Sequence, residues 1–222
     1  MLEWILEAFE SAGFARRDVV FVCGYRAETI QARYPEFTYV KNENWQNNNI
    51  LLSLLTARSY LKDGFVSTYG DIVYEGAVVQ KLVKSDAPIA LGSDTVWRRR
   101  YVGRTQHPET DAEKLRAEGN RVVELSRTIP SERASGEFIG VMKLNPIGTE
   151  QLLDAFDRAA QKFDGGMYRE GRTFQKAYVI DLLADMLEQG TPMTCEETHG
   201  GYMEIDTLQD LSMAEQWWKS RP

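Results

Sequence analysis

The residues best placed for chemistry in this sequence are carboxylates at what read as strand ends. Asp71 follows the stretch Gly64 to Thr68 and the turn-forming Gly70, so it should project from a strand into a cleft. Glu204-Ile205-Asp206 lies in a second extended stretch, Tyr202 to Ile205. Residues i and i+2 of a strand share a face, so Glu204 and Asp206 point together while Ile205 points away. Side-by-side carboxylates repel unless a cation or a proton relieves them. Mg²⁺ suits such a place, because it takes one or two carboxylates together with phosphate oxygens and water. An ion bridging Asp71 and Asp206 would neutralise a nucleotide α-phosphate and orient it for in-line attack. A phosphate or phosphonate oxygen is already ionised at neutral pH and needs no general base. Blander readings stand beside these: Asp71 as a turn aspartate, and Asp206 or Thr207 as the cap of a final helix. Capping and metal binding are compatible at a strand-helix junction.

Other side chains add detail. Arg98, Arg99, Arg100 and Arg104 cluster in sequence and offer a local cationic pocket. Trp97, Tyr101, Tyr168, Tyr178 and Tyr202 lie near proposed strand ends or loops, with Glu113, Glu137 and Asp181 near them in the pattern. Rings and acids together could take an ammonium group through cation–π attraction, although core or rim packing explains most aromatics. His107 beside Pro108 and His199 beside Gly200-Gly201 read as surface-loop residues. Trp217-Trp218 reads as packing or as a homodimer surface.

The elements that would position these groups alternate. Helical spacing marks Leu2 to Phe9, Ala27 to Arg33, Ile50 to Leu61, residues 77–84, Gly148 to Phe163 and Phe174 to Gln189. Strands are expected at Val19 to Cys23, Phe37 to Val40, Gly64 to Thr68, Ile89 to Leu91, Arg121 to Leu125, Phe138 to Lys143 and Tyr202 to Ile205. The β-branched run Val19 to Cys23 fits a strand buried on both faces. A last helix starts at Thr207, with Thr207 and Asp210 at N-cap and N3 spacing. Residues 102–120 and 164–173 read as mobile loops. Alternation of this kind indicates α/β architecture, a mixed and mainly parallel sheet with helices on both faces, and such sheets bind ligands at the carboxyl ends of strands.

Bulk properties set limits. The 222 residues suit a single domain over 1–222, and 43% hydrophobic content can fill a core. A net charge of −7 argues against a broad nucleic-acid surface. No apolar run approaches the roughly 20 residues of a membrane span. The start carries no signal-peptide pattern, so a cytoplasmic setting is the expectation. Cys23 and Cys195 form no CxxC and read as reduced thiols.

Several stretches, in order along nearly the whole chain, resemble the sugar-phosphate nucleotidyltransferase superfamily. They are Cys23-Gly24-Tyr25, Asn49 to Leu54, Gly70-Asp71, Gly136 to Gly140 and Tyr202 to Thr207. Tyr101 to Arg104, Asp111 to Lys114 and Ala177 to Asp181 are similar to its phosphocholine / 2-aminoethylphosphonate cytidylyltransferase-like branch. The resemblance implies a Rossmann-like αβα sandwich and a Mg²⁺ site at Asp71 and Asp206 with Glu204 adjoining. It implies Asn49, Ser53 and Gly70 on the nucleotide and Glu137, Tyr178 and Asp181 on the acceptor. The implied reaction joins NMP, with CTP as the expected donor, to a small phosphorylated or phosphonate acceptor such as phosphocholine, releasing pyrophosphate. A sugar 1-phosphate acceptor is the alternative.

Two departures accompany the resemblance. Members of the superfamily open with a strand, a glycine-rich loop and a Lys-Pro segment, whose N–H groups and cations serve the triphosphate. Here Met1 stands almost at the helix that follows that loop, and Arg16-Arg17 and Gly24-Tyr25-Arg26 are no substitutes. A misplaced start or a trimmed chain is the expectation; a non-catalytic module that binds a nucleotide or a partner is the competing one. In Glu124 to Arg127, Arg127 stands where the family commonly has a lysine for the acceptor phosphate, and its bidentate fork keeps that role open.

Overall fold

The computed structural model describes residues 1–220. Along the chain run α1 (Leu2–Ser11), β1 (Val20–Cys23), α2 (Ala27–Arg33), β2 (Thr38–Lys41), α3 (Ile50–Thr56), β3 (Phe65–Thr68), β4 (Ile72–Tyr74) and α4 (Gly76–Lys84). They are followed by β5 (Ile89–Asp94), α5 (Arg98–Tyr101), β6 (Lys114–Glu118), β7 (Arg121–Leu125), β8 (Gly136–Leu144) and α6 (Pro146–Lys162). The last are α7 (Val179–Glu188), β9 (Thr194–Thr198), β10 (Tyr202–Glu204) and α8 (Leu208–Ser220). These elements form two compact units, one of residues 1–13, 66–143 and 192 onward, the other of residues 14–65 and 144–191.

The first unit is built on a mixed six-stranded sheet in the order β3-β8-β5-β9-β7-β6. β5 and β9 run parallel, from Ala90 opposite Thr194 to Asp94 opposite Thr198. β6 and β7 form an antiparallel hairpin, and β6 also meets the start of β8, with Lys114 opposite Glu137. A separate antiparallel ribbon pairs β10 with β4, Glu204 facing Ile72. Val73 on this ribbon packs with Met203 and with Ala214 of α8, and Trp4, Trp217 and Trp218 close over them. Trp218 stacks on Trp4 with ring centroids 4.7 Å apart, so the tandem tryptophans pack within the chain.

The second unit pairs β1 with β2 in parallel, from Val20 opposite Thr38 to Cys23 opposite Lys41. Two of its helices, α3 and α6, start on side-chain caps. Asn49 Oδ1 accepts the Ile50 N–H at 2.8 Å, and Asn145 Oδ1 accepts the Gly148 N–H at 2.9 Å with Pro146 in the first turn.

The structure corrects several expectations. β1 is only partly buried except at Cys23, because it belongs to a two-stranded pair and not to the interior of the larger sheet. Residues 102–120 are not one loop, since Lys114–Glu118 is a strand whose charged residues hid its period. β4 and β9 were not foreseen. The helix expected from Phe174 starts at Val179, because Ala177 and Tyr178 are extended and the Asp181 carboxylate accepts the Tyr178 N–H at 2.8 Å. The Ile50 helix ends at Thr56 and gives way to a 3₁₀ turn.

Gly140 sits inside β8 with φ +71°, and its carbonyl accepts the Tyr69 N–H at 3.2 Å. A side chain there would strain the backbone and run into the Tyr69 ring. Gly140→Ala should therefore lose about 2–4 kcal/mol of stability, read as a lower urea midpoint at unchanged m-value.

Candidate active site

The β4–β10 ribbon brings the predicted acids together. Beyond the last paired residues, the Ile205 N–H donates to the Asp71 carbonyl at 2.8 Å, which extends the ladder by one step. Asp71 is thereby set beside Glu204 and Asp206. The strand alternation holds as expected: Glu204 and Asp206 both turn toward His107, with Glu204 Oε2 3.3 Å from Nε2 and Asp206 Oδ2 3.2 Å from Nδ1.

Charge crowding follows. Burial, then repulsion from Asp206, Glu137, Asp71 and Glu113, pushes the Glu204 carboxyl up to about 8. Asp71 is raised by burial and by Asp206, although solvent reaches its side chain. Asp206 is the most open of the β10 pair, 46% exposed against 26% for Glu204.

His107 is the residue that sequence reasoning misplaced. Expected on a surface loop, it is 4% exposed. Arg104 Nη2 lies 2.6 Å from His107 Nδ1, so Nδ1 accepts and the proton sits on Nε2, facing Glu204. His107, Glu204 and Asp206 lie close enough to surround a cation. In that tautomer, however, neither imidazole nitrogen offers a lone pair to a metal. The ring instead links Arg104, on its Nδ1, to Glu204, on its Nε2. His199, by contrast, is exposed, as expected.

Asp210 closes the network. Buried to 1% exposure, it accepts from Arg104 Nε at 2.7 Å, from the Thr207 N–H at 3.0 Å and from the Thr207 hydroxyl at 2.9 Å. Burial works against its charge, but the Arg104 and Thr207 hydrogen bonds win and hold its carboxyl below the ordinary value. The Thr207–Asp210 capping spacing is thus realised, with Arg104 as an added partner.

The arginine run does not make an open cationic pocket. Arg98 pairs with Glu109 at 3.4 Å, Arg104 with Asp210, and Arg100 is buried between Asp94 and Glu137. Glu137, expected to face an acceptor, is 3% exposed, tied to Arg100, and receives the Tyr101 hydroxyl at 2.7 Å. Arg127 pairs with Asp111 at 3.1 Å. Gly70 is exposed, with open space where a side chain would be.

Asn49, Ser53, Tyr178 and Asp181 belong to the other unit. There Asn49 Nδ2 donates to the Lys176 carbonyl at 3.2 Å, which brings the start of α3 beside the segment leading into α7. Ser53 Oγ accepts from Asn42 Nδ2 at 2.9 Å, and Asn42, 4% exposed, also exchanges hydrogen bonds with Asn48. Asn42 was missed because nothing local distinguishes one asparagine among several. Asp181 is buried at the head of α7.

With no metal to relieve it, the acid cluster ties stability to pH. A carboxyl raised in the folded state contributes its full stability below the unfolded value of 4.5 and loses it as pH rises toward about 8. Metal-free protein should therefore lose on the order of 1–3 kcal/mol between those limits. Glu204→Gln should flatten the slope, checked by urea unfolding in EDTA at a series of pH values.

No family model matches the chain. Along 96% of its length it is 22% identical to a CTP:phosphoglutamine cytidylyltransferase of Campylobacter jejuni, covering 86% of that protein. It is 24% identical over 209 residues to the bifunctional IPC transferase and DIPP synthase of Rubrobacter xylanophilus, of which it spans 42%. The fold is shared with the CTP:phosphocholine cytidylyltransferase of Streptococcus pneumoniae, at TM-score 0.67 and 18% identity over 98% of this chain and 84% of that one. The inositol-1-phosphate CTP transferase of T. maritima gives 0.65 and 15%, covering 90% of this chain and 75% of that one.

Proposed function

We propose that this chain, a member of the nucleotidyltransferase superfamily on its cytidylyltransferase-like branch, transfers CMP from CTP to a small phosphorylated or phosphonate acceptor. The observation that carries the reading is the acid cluster on the β4–β10 ribbon, where Asp71, Glu204 and Asp206 stand at neighbouring strand ends. Relatives named for CTP-dependent transfer to phosphorylated acceptors support the same reaction class.

The donor set fits Mg²⁺. Its accessible atoms are carboxylate oxygens, and their mutual repulsion is what a divalent cation relieves. Asp71 and Asp206 would hold the ion, with Glu204 adjoining. When bound, it supplies charge neutralisation at the nucleotide phosphates.

The chain's own residues do the rest. The Arg104–Asp210 pair anchors the Asp206 backbone, with the Asp206 N–H donating to Asp210 at 3.2 Å, and His107 Nε2 faces Glu204, so the two acidic positions are fixed before substrate arrives. An acceptor oxyanion forms the new P–O bond at the α-phosphorus while the bond to pyrophosphate breaks. No proton has to be removed from such a nucleophile, so the buried His107 need not act as a general base. Asn49 and Ser53 are the residues that the resemblance assigns to the nucleoside, and the Asn42 network holds Ser53 in place. Arg127 would meet the acceptor phosphate.

Pyrophosphate release should require Mg²⁺, CTP and a phosphorylated acceptor together, tested with each NTP against phosphocholine, 2-aminoethylphosphonate and sugar 1-phosphates. Asp71→Asn and Asp206→Asn should each lower turnover by about two orders of magnitude or more, with the circular dichroism spectrum retained. Normal turnover in either variant would remove the metal assignment. Release with no acceptor present would remove the transfer reading.

A further inference from the structure

Arg104 joins the polar groups beside the acid cluster, yet it belongs to an exposed stretch of chain. Val102, Gly103, Thr105 and Gln106 are exposed and Gly103 holds φ +84°, while the Arg104 side chain is only 3% exposed. Its guanidinium donates to Asp210 at 2.7 Å, to His107 Nδ1 at 2.6 Å and to the Glu204 carbonyl at 3.5 Å. These contacts keep their geometry only while the backbone beneath the side chain stays in place. An exposed segment with a left-handed glycine opens readily unless something ties it down.

Gln209, in the first turn of α8, ties it down. Its Nε2 donates to the Gly103 carbonyl at 3.0 Å, and its Oε1 accepts the Thr105 N–H at 3.0 Å. One amide thus grips the chain on both sides of Arg104. Its orientation is unambiguous, because a carbonyl only accepts and a backbone N–H only donates. The role also needs an amide, since an ionised carboxylate of the same length offers acceptors alone. Nor is Gln209 spent on its own helix, whose start is capped by Thr207 and Asp210. All of these residues lie in the first unit.

We propose that Gln209 is a positioning residue for the acid cluster and acts through Arg104. The amide sets the loop, Arg104 sets His107 and the start of α8, and these set Glu204 and Asp206. The proposal rests on the metal reading above for what the cluster receives, but the positioning can be measured in metal-free protein.

Two variants test it. Gln209→Glu keeps an acceptor for Thr105 but turns a carboxylate on the Gly103 carbonyl, and Gln209→Ala removes both hydrogen bonds. Both should fold, with melting midpoints within about 5 °C of wild type, because the Thr207–Asp210 cap is untouched. Nitrogen NMR of the His107 imidazole, at alkaline pH without metal, should show the wild type protonated on Nε2. In both variants the two ring nitrogens should move toward the average of the two tautomers. Calorimetric titration with Mn²⁺ should show binding about tenfold weaker in both variants. A residue that merely stabilised the fold would lower the melting midpoint and move neither reading. Unchanged imidazole signals in both variants overturn the proposal. Altered imidazole signals with unchanged Mn²⁺ affinity overturn its last step, from His107 and α8 to the carboxylates. Absence of Mn²⁺ binding to the wild type removes the metal reading, and the imidazole contrast then decides the positioning by itself.

Discussion

The hydrogen bond from Ile205 to the Asp71 carbonyl sets the terms for the first unit. It holds two strand ends at ladder spacing and so obliges Asp71 to stand near Glu204 and Asp206. Like charges at that spacing oppose folding, as the raised Glu204 and Asp71 carboxyls record. Ribbon pairing must be stabilised from elsewhere to hold them. Much of that support is apolar: Ile72, Val73 and Tyr74 are fully buried, and Met203 packs with Val73 under α8 and the Trp4–Trp218 stack.

The remaining support is polar and equally specific. Asp210 gathers the Arg104 guanidinium and the donors at the start of α8 on one buried carboxylate. Arg104 in turn fixes the tautomer of His107, which separates Glu204 from Asp206. One arginine thus joins a helix cap to the acid cluster. Loss of either partner in a buried pair leaves an uncompensated charge, a larger effect than the net worth of the pair.

How far all this could be read from sequence depends on whether the signal was local. The i, i+2 rule placed Glu204 and Asp206 on one face, and the Thr207–Asp210 spacing announced a cap that is present. Gly70-Asp71 announced a strand end. His107 escaped because Arg104 and Tyr101 enclose it only together with the distant β10, which its neighbours in sequence do not reveal. β6 escaped because Lys114, Arg116 and Glu118 carry charge on a strand that packs through Leu115. The arginine run was legible as charge but not as occupancy, since the acids that neutralise it arrive from β5, β8 and α8.

That neutralisation bears on how anionic substrates would be received. A phosphate approaching the first unit meets carboxylates at Asp71, Glu204 and Asp206, while Arg100 and Arg104 are already committed to buried acids. A standing positive surface would attract phosphates of every kind and would add charge repulsion of its own to the folded state. On the reading proposed above, an acidic cluster instead would make phosphate binding conditional on a divalent cation that both parties share. The same repulsion that raises the Glu204 carboxyl would become attraction were a divalent cation held there, so the strain in the ribbon and the metal affinity proposed for it would have one physical source.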